Sequence, residues 1–154
     1  MRSDLVDFFV DSNIPLYPFD REDPARRARA NEVVSRLAAS RRGAVSTQVL
    51  AECFSTLTRK RALRVPVGDA VRLVTDLLDF WTVFPVTAEV IREAVRGAVR
   101  YQLSYYDAQI WAVARLNGIG TVLSEDFQQG STVEGVTFLN PLDPPSTSTG
   151  WGLV

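Results

Sequence analysis

Four acids in this chain, Asp11, Glu52, Asp107 and Asp126, fall at or near the expected boundaries of structural elements. If folding gathers several carboxylates into one cleft they repel one another, and a cation of charge +2 offsets that repulsion. Carboxylate oxygens select hard cations, Mg²⁺ or Mn²⁺ ahead of Zn²⁺. Such an ion acidifies a coordinated water and clamps a phosphate oxygen, which is what phosphodiester hydrolysis requires. The chain contains no histidine. That removes Ser-His-Asp and Cys-His catalysis, His-ligated zinc and the commonest general base. One cysteine, Cys53, excludes an intrachain disulfide framework and a cysteine-rich zinc site.

Each acid also has a plainer reading. Asp11 ends the apolar run Val6-Asp7-Phe8-Phe9-Val10, read as a buried strand, and open α/β sheets bind ligands just beyond the carboxyl ends of such strands. An Asx-turn over Ser12-Asn13-Ile14 would explain it equally well locally. Asp126 follows a later expected strand, Thr121-Val122-Leu123, but Glu125 beside it offers the same chemistry. Asp107 stands three residues after Ser104, the spacing of a capping box. A first-turn carboxylate can cap and still present an oxygen to a metal. Glu52 lies away from the apolar stripe of its own helix, where a solvated glutamate is the default.

The elements that must position these residues are legible from periodicity. After the first strand comes a proline-punctuated apolar loop, residues 14–19. A helix starts at Asp23-Pro24, with Ala30, Val33, Val34 and Leu37 inward and Gly43 as its C-terminal cap. Ala44-Val45-Ser46 is a second strand. A helix over 47–60, capped by Ser46 or Thr47, buries Leu50, Cys53, Phe54 and Leu57, and the next, from Pro66, buries Ala70, Leu73, Val74, Leu77, Leu78 and Trp81. Residues 82–86 read as an edge strand because of Pro85. Thr87 caps a helix with Ile91, Ala94, Val95 and Ala98 inward. The helix opened by Ser104 is apolar nearly all round and therefore central. Strands 121–123 and 136–139 complete an alternation that predicts an α/β fold with a mostly parallel sheet covered on both faces.

At 154 residues, 46% hydrophobic and 23% charged, the chain suits one globular domain, expected over residues 1–140. Residues 141–154 are rich in Pro, Ser, Thr and Gly and read as a flexible tail. No apolar run reaches membrane-spanning length and no signal-peptide profile opens the chain, so a cytoplasmic location is expected. Net charge is −1. The basic residues are nonetheless clustered (Arg26, Arg27, Arg29, Arg41, Arg42, Arg59, Lys60, Arg61, Arg64), with Tyr17, Phe19, Tyr105 and Tyr106 available for stacking on bases. Singly, these basic side chains are better read as solvated helix faces.

Taken in order, Val10-Asp11-Ser12-Asn13, the stretch from Val45 to Glu52, Ser104-Tyr105-Tyr106-Asp107-Ala108-Gln109-Ile110 and Leu123-Ser124-Glu125-Asp126-Phe127 resemble the PIN-domain nucleases. Within them the chain is most similar to the VapC-type toxins of bacterial toxin–antitoxin operons. The resemblance implies a three-layer α/β/α sandwich and an Mg²⁺- or Mn²⁺-dependent endoribonuclease that leaves a 5′-phosphate. Asp11, Glu52 and Asp107 match the family's three core metal-site acids, and Asp126 its more variable fourth. Ser12, Asn13 and Ser124 are implied as polar supports. A homodimer and a cognate antitoxin are the implied protein partners, and RNA the substrate.

Two rival readings remain. Phosphoryl transfer on an aspartate, as in haloacid-dehalogenase-like phosphatases, needs a second Asp two residues after the first, where this chain has Asn13. A non-catalytic RNA- or protein-binding module would keep the fold without turnover.

Overall fold

The computed structural model describes residues 6–143. β1 (Phe8–Val10) is short and fully buried, with Phe9 and Val10 wholly inaccessible. A strand apolar on both faces must be covered on both, and β1 lies in the middle of the sheet. The other strands are β2 (Gly43–Ser46), β3 (Thr82–Phe84), β4 (Thr121–Leu123), β5 (Thr132–Val133) and β6 (Val136–Leu139). Their order is β3-β2-β1-β4-β6-β5. All neighbouring pairs are parallel except β5–β6, which is antiparallel. The edge position expected for β3 is observed. β5 has no counterpart in the sequence reading, since two residues are too few to show a period.

Among the described residues six α-helices join and cover the strands: α1 (Asn13–Leu16), α2 (Pro24–Ser40), α3 (Thr47–Arg59), α4 (Val67–Phe80), α5 (Ala88–Tyr101) and α6 (Tyr105–Leu116). The right-handed rule for parallel crossovers, applied to this strand order, assigns α2, α3 and α4 to one face and α5 and α6 to the other. α3 packs on α4, and α5 packs extensively on α6. The expected caps form: Asp23, Ser46, Thr87 and Ser104 each accept a hydrogen bond from the backbone N–H three residues on. α6 supplies the centre of the core, with every residue from Ala108 to Ala114 buried.

Four local expectations are corrected. Residues 14–19 are not a loop but α1 followed by a 3₁₀ turn, Tyr17–Phe19, because Ile14 and Pro15 are buried by tertiary packing. Gly43 does not cap α2. Arg41 takes the left-handed cap at φ 55°, and Gly43 opens β2, where an added Cβ would lie 2.6 Å from the Trp81 ring. The inner face of α5 is Val90, Ala94 and Gly97, leaving Ile91 and Val95 exposed. Phe54 and Leu78 are likewise exposed, at 40% and 54%. An apolar stripe wider than the neighbour that covers it does not show from periodicity which of its edges is buried.

Packing continues past the expected domain end at residue 140: Leu142 is buried in the core and Asp143 is bonded to Arg26. The rest of the expected tail, 144–154, lies outside the described residues.

Candidate active site

Strand order reverses at β1: the chain moves from β1 to β2 and β3 on one side, then returns to place β4 on the other. In parallel sheets a crevice opens at such a point, beyond the carboxyl ends of the strands. Register decides which residues meet there. Val10 pairs with Leu123, so the next residues, Asp11 and Ser124, lie side by side. Phe9 pairs with Ala44, which brings Asp11 level with Ser46 and hence with the start of α3.

Asp11 is buried, 4% exposed. The Ser12 N–H donates to its Oδ1 at 2.7 Å and the Ser124 hydroxyl to its Oδ2 at 2.8 Å. Burial lifts its carboxyl to about 6, the two hydrogen bonds work against that rise, and the charges of Asp126 and Glu52 add to it. Glu52 is half-buried, not solvated. The Ser12 hydroxyl donates to its Oε2 and the Gln48 amide to its Oε1, each at 2.7 Å. Asp126 is exposed and accepts from Asn13 Nδ2 at 3.0 Å, while its own N–H donates to Ser124 Oγ at 3.1 Å. Ser12, Asn13 and Ser124 thus tie three of the four acids into one polar group.

Glu125, the alternative to Asp126, faces elsewhere. Its carboxylate lies 3.5 Å from the Arg26 guanidinium, which also holds Asp143 at 2.6 Å. Asp107 opens α6. Helices that precede a parallel strand run against it, so the N-terminus of α6 lies toward the same sheet edge as Asp11. Ser104 Oγ accepts from the Asp107 N–H at 3.3 Å, but the carboxylate returns no bond. Half of the capping box is therefore made, and the half-buried Asp107 side chain has no partner among the described residues.

None of the four acids is paired with Arg or Lys among the described residues. Uncompensated carboxylate charge and an all-oxygen donor set suit Mg²⁺ or Mn²⁺. Burial pushes the pKa of the nearby Cys53 thiol up, and its soft sulfur is a poor donor for these hard cations. As the side chains stand, no three acidic or cysteine groups among the described residues form a ready-made metal cage. Closing around an ion therefore calls for side-chain rotation, most easily by the exposed Asp126 and the unpartnered Asp107.

Two amide side chains to which the sequence pattern assigned no role also line this region. Gln48 lies one turn before Glu52 on α3, and Gln109 is the single polar residue in the buried run of α6. A lone amide in an apolar helix must find partners when buried, and that was the available signal. The basic cluster divides in the structure: Arg26 is held by Glu125 and Asp143 and Arg42 by Asp7, whereas Arg59, Lys60, Arg61 and Arg64 are exposed around the end of α3.

The PIN domain family model matches residues 8–132. Among solved structures, the chain is similar to VapC20 of Mycobacterium tuberculosis, described as a sarcin-ricin loop cleaving toxin. Identity there is 28%, 84% of this chain and 98% of that one are covered, and the TM-score is 0.63. A toxin–antitoxin complex from Klebsiella pneumoniae matches at 17% identity and TM-score 0.65, covering 86% and 96%. A DNA-bound VapBC from Salmonella typhimurium matches at 16% and 0.61, covering 88% and 98%. The last two likenesses concern the fold alone. No curated protein matches the chain significantly in sequence.

Proposed function

The chain belongs to the PIN domain family, and from that premise we propose that it is a metal-dependent endoribonuclease, the toxin of a toxin–antitoxin pair. The observation that carries the reading is the buried Asp11 at the strand-order reversal, facing the uncompensated charges of Glu52 and Asp126. A stable core does not need three acids tied together at one sheet edge; a cation site does.

Asp11, Glu52, Asp107 and Asp126 would hold Mg²⁺ or Mn²⁺. When bound, such an ion supplies charge for the phosphate oxygens and acidifies water for in-line attack, leaving a 5′-phosphate. The chain's own residues do the rest. Ser124 and the Ser12 amide fix both Asp11 oxygens, so the carboxylate reaches the ion in one orientation. Ser12 and Gln48 do the same for Glu52. Asn13 holds Asp126 toward the site, and Arg26 draws Glu125 away from it. Arg59 is seven residues beyond Glu52, roughly 10 Å along the helix axis, within reach of neighbouring RNA phosphates. RNA is the substrate in this reading, and a cognate antitoxin and a second copy of the chain are its protein partners.

Purified protein incubated with structured RNAs, with and without EDTA, tests the proposal. Cleavage that requires Mg²⁺ or Mn²⁺ and leaves 5′-phosphate ends is expected, and Asp11→Asn should abolish it without loss of the fold. Full activity in Asp11→Asn would overturn the assignment. A folded protein that takes up Mn²⁺ but binds RNA without cutting it would favour the non-catalytic module.

A further inference from the structure

Beside Glu52, between the first turns of α3 and α6, lies a groove of about 520 Å³ whose lining includes Gln48, Ala51, Glu52, Val86, Tyr106 and Gln109. A directed chain of hydrogen bonds runs along it. The Tyr105 hydroxyl donates to Gln109 Oε1 at 2.9 Å, Gln109 Nε2 to Gln48 Oε1 at 2.6 Å, and Gln48 Nε2 to Glu52 Oε1 at 2.7 Å. The chain has one sense because its end is a carboxylate, which accepts only. Turning Gln48 over would set its oxygen against the Glu52 oxygen, and Gln109 would then have to turn as well. Both amides are therefore locked, each with a second N–H proton and a second carbonyl lone pair in a fixed arrangement.

The occupant follows from the remaining lining. Glu52 is its only charged residue, so no cation is present to hold a phosphate or another acidic group. Ala51 and Val86 supply apolar surface. Tyr106 is 64% exposed yet held edge-on against Tyr105, with centroids 5.2 Å apart and planes at 73°. An exposed ring fixed beside two oriented amides suits a flat, neutral group rich in hydrogen-bonding edges, which is a nucleobase.

We infer that this groove is a base-recognition subsite, in which one unpaired nucleobase next to the scissile phosphate stacks on Tyr106 and is read by the amide of Gln48, which the buried Gln109 holds in one orientation. The inference rests on the nuclease reading for its orientation toward Glu52, but binding can be measured without turnover. The probe is a set of fluorescein-labelled, 2′-O-methylated pentanucleotides differing at one position, titrated by anisotropy in Ca²⁺ against wild type, Tyr106→Phe and Tyr106→Ala. Wild type and Tyr106→Phe should prefer one base at one position, and Tyr106→Ala should weaken that binding roughly tenfold and level the preference. Equal affinity for all bases in wild type, or an unchanged preference in Tyr106→Ala, would overturn the subsite. Base preference in a protein that cuts no RNA would uphold the subsite and sink the nuclease.

Discussion

Asp11 shows how one residue's environment carries two opposing consequences. Its carboxyl is lifted from 3.8 to about 6, chiefly by burial. Between those values the folded chain holds a proton that the unfolded chain has lost, so this residue's contribution to stability falls as pH rises through the window. Above pH 6 the cost is complete, at most about 3 kcal/mol at roughly 1.4 kcal/mol per pH unit. Asp11→Asn removes the charge, so in EDTA it should be more stable than wild type at pH 8, with the advantage gone near pH 4. Urea melts at pH 4, 6 and 8 check this, and a pH-independent difference would contradict the burial argument. For the same reason Mn²⁺ uptake should weaken below pH 6, because ion and proton compete for one carboxylate.

Helix packing is set by close contacts that substitution can probe. Gly97 sits on the buried face of α5 directly over the Trp111 ring, and an added Cβ would overlap the ring. Trp111 cannot retreat: it is wholly buried and its indole N–H donates to the Val133 carbonyl at 3.1 Å. Gly97→Ala should therefore destabilise by about 1–3 kcal/mol despite alanine's better helix propensity. Gly68, where a Cβ would meet nothing, is the control, and Gly68→Ala should be neutral or stabilising. Thermal melts of the two variants separate these effects, since both substitutions lie in helices and differ in what lies above them.

At the scale of the molecule, the apolar side chains left outside the core matter most. On α5, Ile91, Val95 and Val99 recur every fourth residue and are 44%, 50% and 79% exposed. A row of that kind on a soluble surface marks an interface, which supports the proposed homodimer. Sedimentation of the full chain should give a dimer, and Val95→Glu should shift it to monomer while leaving the far-UV spectrum unchanged. A monomeric wild type would remove the dimer from the proposal. Parallel sheets also explain the site's location: the ends of β1, β2 and β4 share one edge, so residues remote in sequence arrive together.

Much of this was decided locally. The β1 run, the caps at Asp23, Ser46, Thr87 and Ser104, and the all-apolar α6 follow from side-chain shape, spacing and hydrogen-bonding capacity within a dozen residues, so the alternating fold could be read from the chain. Asp11 and Asp126 were legible for the same reason, as acids that end strands. Tertiary structure alone decided the rest. Which edge of the α5 stripe is buried depends on α6, and Gly43 answers to Trp81 rather than to the end of α2. Glu52 looks solvated until Ser12, forty residues earlier, donates to it, and the orientation of Gln48 and Gln109 exists only because Glu52 ends their chain of donors. A hydrogen bond between distant residues leaves no periodic trace in sequence, because its partner is chosen by strand register.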